Sequence, residues 1–301
     1  MYFRKGILSL LIMVLSPIHP GQASEVKLSH MGLNLNANFE LSTNTKHENE
    51  VILITHSGLA HNGLEIITYL QAKLKGLGYN TLAINLSLGL DNRHGMYDCK
   101  TTHRHLFSDA ENEISAWMGW LKENGVKRVV VLGHSRGASQ TALYAAEQDN
   151  SLTQAVILLA PDTQATNDKV AYQKRHGVPL EGVLTLARKF RMAGKGSTVL
   201  EHTGLLYCMD TSVAADTLLS YYDEDPRLDT PYLIPKISKP TLVVIAGNDE
   251  LVVGANTKFS SVSSAKNIQM KTIEGADHFF RDLYADDVVD VVNEFLMNLR
   301  K

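Results

Sequence analysis

A serine flanked by glycines follows a strongly apolar run near the middle of the chain. The run V-V-V-L leads into G-H-S-R-G, residues 133–137, and an alanine-rich stretch follows. A strand that turns sharply into a helix crowds the positions two before and two after the turn residue. Glycine at Gly133 and Gly137 removes this conflict and leaves the Ser135 hydroxyl exposed. The G-x-S-x-G pattern in this context predicts a nucleophilic serine.

A serine hydroxyl needs a base to take its proton, and an imidazole base needs a carboxylate to orient it. His278 directly follows the last predicted strand and precedes the last predicted helix, so it is the favoured base. Asp249 follows the preceding strand and is the favoured carboxylate, with Glu250 and Asp277 as alternatives. We therefore predict that Ser135, His278 and Asp249 converge as a catalytic triad.

Two backbone amides are predicted to stabilise the oxyanion that forms when the serine attacks a carbonyl. One is the amide of Arg136, at the start of the helix that follows the serine. The other lies in T-H-S-G-L, residues 55–59, directly after an early apolar strand. Within this turn the Gly58 amide is favoured, and the Ser57 amide is the next choice.

Polar side chains close to these positions in the sequence are candidate contacts to the substrate: His56, His134, Arg93 and His94. The substrate could be anionic, because Arg93 and Arg136 lie near the predicted site and residues 161–239 carry many basic side chains. For the basic side chains of 161–239, a solvated helix surface is the simpler explanation. One loop also carries several possible metal ligands: His94, Asp98, Cys99, His103 and His105. Their spacing is not diagnostic, so neither a metal nor another cofactor is predicted. Contacts to the substrate or to residues 161–239, or a polar surface loop, are the alternatives.

Apolar segments alternate with amphipathic segments along most of the chain. Six apolar runs predict strands: residues 51–55, 81–86, 128–132, 155–160, 241–246 and 268–273. Two alternating segments, 26–31 and 33–41, predict a strand pair at a sheet edge. Between these strands, apolar residues recur at the spacing of amphipathic helices. Strands joined by helices pair in parallel through right-handed crossovers, which predicts an α/β fold with helices on both faces of the sheet.

Residues 161–239 interrupt this alternation. The segment is mostly helix-like, is rich in Lys and Arg, and is bounded by Pro161 and Pro240. We predict that it is a helical cap, or lid, inserted over the carboxyl edge of the sheet. The core would then comprise residues 24–160 and 240–301.

The first 23 residues have the organisation of a secretory leader. Arg4 and Lys5 precede an apolar run, residues 6–16, and two prolines and the small residues of G-Q-A follow. An uncleaved membrane anchor is the alternative, but the run is too short to span a bilayer comfortably. We predict a signal peptide at residues 1–23 and an exported protein, periplasmic or secreted, without stable membrane insertion.

The chain after residue 23 has 27 basic and 32 acidic residues, which gives a formal charge of −5. This mildly acidic balance argues against nucleic acid or an anionic membrane as the main partner. The two cysteines, Cys99 and Cys208, can form one disulfide in an oxidising compartment, and two free thiols are the alternative.

Serine, acid and histidine in this order on an alternating strand and helix pattern resemble the α/β-hydrolase superfamily, in particular its serine esterase and serine aminopeptidase-like branch. The resemblance covers nearly all of the chain after residue 23. Residues 56–58 resemble the family's His-Gly turn, with Ser57 at the usual glycine position, and residues 89–95 resemble its D-x-R-G-H-G loop. The resemblance implies a mostly parallel eight-stranded sheet flanked by helices, with a cap inserted after the sixth strand.

The predicted activity is hydrolysis of a carboxylic ester of a small molecule through an acyl-enzyme. Thioester, lactone or aminopeptidase-like peptide hydrolysis uses the same residues and is an alternative. A further alternative is a non-catalytic member of the fold that binds a ligand in the same pocket, which the intact Ser, His and Asp positions disfavour.

Overall fold

The computed structural model describes residues 24–43, 47–148, 150–163, 169–260, 262 and 266–300. The predicted signal peptide, residues 1–23, lies outside the described residues. No helix in the described ranges has both the length and the apolar character needed to cross a membrane.

Eight of the strands in the described residues form one mixed sheet. The ten strands of the described residues are β1 (Ser24–His30), β2 (Leu33–Glu40), β3 (Glu50–Thr55), β4 (Asn80–Asn85), β5 (Arg128–His134), β6 (Thr153–Leu159), β7 (Val199–Leu205), β8 (Cys208–Ala214), β9 (Thr241–Ala246) and β10 (Ile268–Ile273). β7 and β8 pair separately, and the other eight form the sheet. Their order in the sheet is β1-β2-β4-β3-β5-β6-β9-β10. β1 pairs with β2, and β2 with β4, in antiparallel fashion, and the other pairs are parallel. The predicted fold class is confirmed.

Helices cover both faces of this sheet. The helices of the described residues are α1 (Glu65–Gly76), α2 (Asp109–Glu123), α3 (Arg136–Glu147), α4 (Lys169–His176), α5 (Leu180–Met192), α6 (Ala215–Tyr222), α7 (Thr230–Leu233), α8 (Ala255–Ser260) and α9 (Tyr284–Asn298). Helices α1 and α9 pack together on one face, whereas α2 and α3 pack together on the other.

Strand β3 shows why continuous apolar runs form the centre of the sheet. Val51 and Leu53 belong to the core beneath α2 and α3, whereas Ile52 and Ile54 belong to the core beneath α1 and α9. Alternate side chains of a strand point to opposite faces, so a strand covered on both sides needs an apolar residue at every position. Each buried aliphatic side chain stabilises the fold by about 1.5–3 kcal/mol.

The segment between β6 and β9 is not entirely helical, which corrects the prediction for residues 161–239. It contains α4 to α7 and two short 3₁₀ turns, but also an antiparallel hairpin formed by β7 and β8. β-Branched side chains at Thr203, Thr211 and Val213 contribute to this hairpin, and all three are buried. Such residues fit a pleated, half-buried surface.

The cap hairpin is fastened to the long loop that follows β4. A disulfide joins Cys99 of the loop to Cys208 at the start of β8. The Thr211 hydroxyl donates to the carbonyl of Cys99 at 2.6 Å, and the backbone of His103 exchanges hydrogen bonds with residues 212 and 214. The cap and the loop therefore form one connected structure.

We expect removal of this disulfide to destabilise the protein. The bridge closes a separation of 109 residues, and cross-linking so long a loop restricts the unfolded chain. In a variant carrying Cys99→Ser and Cys208→Ser, the free energy of unfolding should fall by about 2–5 kcal/mol. Urea unfolding of the wild type and the variant without reductant measures the difference. Dithiothreitol should lower the stability of the wild type only. Equal unfolding midpoints would contradict this expectation.

Candidate active site

Ser135 occupies the sharp turn between β5 and α3. Its backbone has φ +57° and ψ −126°, a conformation that residues other than glycine rarely adopt. A Cβ atom on Gly133 would lie 2.4 Å from the carbonyl oxygen of Gly137, and one on Gly137 would lie 2.2 Å from that of His56. Only glycine fits at either position. The two glycines therefore permit the turn that lifts the serine side chain to the edge of the sheet.

The structure brings Ser135, His278 and Asp249 together although they are far apart in the sequence. The Ser135 hydroxyl donates to His278 Nε2 at 2.7 Å, and His278 Nδ1 donates to Asp249 Oδ2 at 2.7 Å. The His278 and Asp249 side chains are almost fully buried. The alternatives do not reach the imidazole, because Asp277 binds Arg281 and neighbouring amides and Glu250 is exposed.

Asp249 is itself held in a fixed orientation. Its Oδ1 accepts hydrogen bonds from the amides of Leu251 and Val252, each at 2.8 Å, so only Oδ2 is directed at His278. Burial opposes the charged form, but the hydrogen bonds from His278 and the two amides outweigh it, and the pKa of Asp249 lies below its usual value. The residue is therefore an ionised carboxylate that fixes the proton on His278 Nδ1.

A cavity of about 290 Å³ opens beside the Ser135 hydroxyl. Its wall is largely apolar and includes Leu59, Leu64 and Phe279 from the core. The turn of the cap hairpin, Leu206 and Tyr207, lies over it. The Tyr207 hydroxyl donates to the carbonyl of Tyr97 at 2.9 Å, which ties the roof to the core loop. Such a cavity suits a small, mostly apolar substrate.

All three predicted oxyanion-hole residues line this cavity. Arg136 begins α3, so its amide has no partner within the helix. Gly58 has φ +39°, and a Cβ atom added to Gly58 would lie 3.8 Å from the Leu206 side chain. Ser57 is adjacent and also reaches the cavity wall. The turn after β3 and the start of α3 thus meet at the site, as an oxyanion hole requires.

The structure places His56 and Arg93, which were predicted to contact the substrate, in buried positions outside the wall of this cavity. His56 Nε2 accepts from the Leu86 amide at 3.0 Å and from Arg93 Nη2 at 3.2 Å, and His56 Nδ1 donates to the carbonyl of Ser57 at 3.2 Å. Arg93 also donates to the carbonyls of Leu86 and Gly95. Both side chains support the turn that carries Ser57 from behind.

The other two predicted substrate contacts also lie outside the cavity wall. His134 is fully buried beneath the site, and its Nε2 donates to the carbonyl of His278 at 2.9 Å, which positions the loop of the base. His94 is exposed and pairs with Glu25 on the edge strand at 2.6 Å. Neither side chain is among the residues that line this cavity.

The histidine-rich loop forms part of the contact between cap and core. His103 Nδ1 and His105 Nε2 are 3.2 Å apart, and His105 Nδ1 is 2.9 Å from the Tyr221 hydroxyl of α6. The sulfur of Cys99 belongs to the disulfide. In the described residues, no group of three or more His, Cys, Asp or Glu side chains is arranged to hold a metal ion.

Buried neutral histidines should make the protein sensitive to acid. Burial lowers the pKa of His56, His105 and His134 to about 3 and that of His103 to about 4. Below the ordinary value of 6.5, the unfolded chain binds protons at these positions and the folded chain does not, so stability falls as the pH falls. Glu113 has the opposite effect. Burial raises its pKa to about 7, so the folded chain binds one proton there that the unfolded chain does not, and this partly offsets the loss of stability.

We expect the free energy of unfolding to fall by roughly 4 kcal/mol between about pH 7 and pH 5. Urea unfolding across this range measures the slope. His105→Gln removes one of the four buried groups, so its slope should be shallower by up to about 1.4 kcal/mol per pH unit. A pH-independent wild-type stability would contradict this expectation.

Asp162 and Tyr207 are two of the cavity residues that were not identified from the sequence. Asp162 follows β6 and forms a buried ion pair with Arg136, with 2.8 Å between Oδ2 and Nη2. Its place directly after a strand at the carboxyl edge of the sheet was the available signal. Tyr207 gave none, because it belongs to the hairpin that was expected to be helical.

Comparison with known proteins assigns the chain to a family. The profile of the serine aminopeptidase S33 family matches residues 46–281, and no curated protein matches the chain. Est1E from Butyrivibrio proteoclasticus, with ferulic acid bound, is a similar structure with a TM-score of 0.67 and 20% identity over 91% of this chain and 98% of that one.

Two further similar structures have the same fold. GrgF from a Penicillium species has a TM-score of 0.66 and 14% identity over 93% of this chain and 98% of that one. The Pyrococcus furiosus esterase Pf2001 has a TM-score of 0.58 and 15% identity over 92% and 91%. At these identities the similarity shows the α/β-hydrolase fold. Since the family profile spans most of the chain, the protein belongs to the serine aminopeptidase S33 family of α/β-hydrolases.

Proposed function

We propose that this protein is an exported serine hydrolase that cleaves a small carboxylic ester through an acyl-enzyme. The observation that carries the proposal is the unbroken chain of hydrogen bonds from Ser135 through His278 to Asp249, which opens on a cavity. Membership of a hydrolase family and similarity to the fold of an esterase support it.

The first half-reaction forms the acyl-enzyme. Ser135 Oγ attacks the ester carbonyl carbon while its proton moves to His278 Nε2. The carbonyl oxygen becomes an oxyanion that accepts hydrogen bonds from the amides of Gly58 and Arg136. The carbon–oxygen bond to the alcohol then breaks, and the leaving oxygen takes the proton from His278. Asp249 stabilises the imidazolium between the two proton transfers.

The second half-reaction releases the acid. Water attacks the acyl carbon while its proton moves to His278 Nε2, and the same two amides stabilise the second oxyanion. Collapse returns the proton to Ser135 Oγ and frees the carboxylic acid. Thioesters and lactones present the same carbonyl to the same groups, so leaving-group preference decides among these bond types.

The charges of the cavity favour an ester over an N-terminal peptide. An aminopeptidase-like activity needs a carboxylate that is available to the substrate's α-ammonium group. Asp162 is the carboxylate among the described lining residues, and it is already paired with Arg136. Because Arg136 already offsets its charge, Asp162 attracts a second cation less strongly than an unpaired carboxylate would.

Export is supported by two independent features. The leader-like residues 1–23 fit a signal peptide. The disulfide between Cys99 and Cys208 fits an oxidising compartment, because cytosolic proteins generally keep cysteines reduced. Detection of the mature chain in periplasm or culture medium, beginning at Ser24, would test this part of the proposal.

The proposed activity is tested by covalent labelling and by turnover. A fluorophosphonate probe should modify the mature protein once, and peptide mass mapping should locate the label on Ser135. A panel of p-nitrophenyl esters, thioesters, lactones and aminoacyl anilides should show preferred turnover of esters. An unreactive protein that turns over none of them would favour the non-catalytic alternative, and preferred turnover of aminoacyl anilides would favour the aminopeptidase.

A further inference from the structure

The cavity beside Ser135 carries three charged side chains among its described lining residues. Two of them, Arg136 and Asp162, form the buried ion pair and offset each other's charge. The third is Arg175, which comes from α4 of the cap. Because Arg175 forms no ion pair with any described carboxylate, these three side chains give the wall a net charge of one positive unit.

Arg175 differs from the other basic side chains of the cap. Three of the latter pair with cap carboxylates: Lys169 with Glu181, Arg188 with Asp223, and Arg191 with Asp216. Within the part of the cap that the structure describes, Arg175 is the basic residue that lines the cavity. Its recorded hydrogen bond is a long one, 3.4 Å from Nη1 to the carbonyl of Leu206 in the roof. Most of its donors are therefore available to a ligand.

The surroundings of Arg175 favour recognition of an anion. Arg175 is itself exposed, but the wall that it joins is mostly apolar, with Leu206, Leu251 and Phe279 among its lining residues. An apolar wall strengthens electrostatic attraction relative to open solvent. A guanidinium binds a carboxylate through two parallel hydrogen bonds. One unpaired cation matches one negative charge, which fits a carboxylate better than a phosphate dianion.

We propose that Arg175 is a specificity-determining residue that binds a carboxylate of the substrate, so that the preferred substrates are esters carrying a second, ionised carboxyl group. This inference rests on the proposed ester hydrolysis and names its substrate class. The second carboxylate lies either on the acyl side or on the alcohol side of the scissile bond, and matched substrates distinguish these two arrangements.

The test compares pairs of esters that differ only in charge. On the acyl side, the mono-p-nitrophenyl ester of adipic acid is compared with its methyl-capped form. On the alcohol side, the acetyl ester of p-hydroxybenzoate is compared with that of p-hydroxybenzamide. We expect wild-type kcat/KM to favour the anionic member of one pair by roughly tenfold, as for a hydrogen-bonded ion pair that is partly exposed. Added salt should reduce this preference.

Variants identify the residue responsible. Arg175→Gln should lower the ratio of anionic to neutral kcat/KM toward one, and Arg175→Lys should retain part of it. Lys174→Gln is the matched control, because Lys174 is the adjacent exposed cation of α4 and does not line the cavity. Its ratio should stay within about twofold of the wild type.

Binding to an inactive protein separates this inference from the proposed chemistry. With Ser135→Ala, calorimetry should show tighter binding of the anionic ester, and the difference should disappear when Arg175→Gln is added. Equal binding of both members of each pair, or a preference that survives Arg175→Gln, would overturn the inference even if esters are hydrolysed. Selective binding without any wild-type turnover would support the carboxylate site and overturn the proposed hydrolysis.

Discussion

Ser135→Ala should abolish ester hydrolysis while leaving the protein folded. The recorded contact of the Ser135 hydroxyl is its hydrogen bond to His278 Nε2, so its removal leaves no buried donor unpaired in the scaffold. Without the nucleophile no acyl-enzyme forms, and kcat should fall by at least about 10⁴-fold. The remaining rate would reflect substrate binding and the oxyanion amides alone. Steady-state kinetics with a p-nitrophenyl ester measures this loss.

A second serine of the same helix provides the control. Ser139 lies one turn further along, within α3, and is also buried. Its hydroxyl donates to the carbonyl of Asp162 and accepts from the Thr230 hydroxyl, whereas the Ser135 hydroxyl donates to an imidazole. Ser139→Ala should therefore change kcat/KM by less than about tenfold. Fluorophosphonate labelling should persist in Ser139→Ala and disappear in Ser135→Ala. If Ser135→Ala keeps a hundredth or more of the wild-type rate, another group is the nucleophile.

The sheet was predictable because local pattern and global position agree in its central strands. Residues 51–54 and 129–132 are apolar at consecutive positions, and the structure buries them between two helix layers. The elbow was predictable for a related reason. Gly133 and Gly137 report a steric constraint that acts within five residues, so the sequence alone carries the information.

The convergence of the triad was inferred from topology. Ser135, Asp249 and His278 each follow a parallel strand, and the carboxyl ends of parallel strands meet at one edge of a sheet. This reasoning selects residues by chain position. It does not say which polar side chains near the edge point into the cavity.

The sequence was least informative where tertiary contacts decide a side chain's environment. His56 and Arg93 were expected to contact substrate, but hydrogen bonds to Leu86, Ser57 and Gly95 draw them into the scaffold. The cap hairpin was missed because its two strands lie outside the main sheet and are partly exposed, so the hydrophobic periodicity is weak.

Asp249→Asn should lower kcat by about 10³–10⁴-fold with little effect on folding. The amides of Leu251 and Val252 both donate to Oδ1, so the asparagine would keep its oxygen there and direct its NH₂ group at His278 Nδ1. An NH₂ group can only donate, and it would force the imidazole to carry its proton on Nε2. That nitrogen could then no longer accept the proton of Ser135.

Glu250→Gln is the matched control for the charge and its position. Glu250 is the next residue and is exposed, so this variant should retain activity within about twofold of the wild type. Burst-phase kinetics would add a direct measure, because acylation should slow in Asp249→Asn while the fluorophosphonate still reaches Ser135 at a reduced rate. If Glu250→Gln caused the larger loss, the orienting carboxylate would be Glu250, and the turn after β9 would have to move by one residue. The two hydrogen bonds from backbone amides that hold Asp249 oppose such a shift. We therefore expect the loss of activity to be confined to Asp249→Asn.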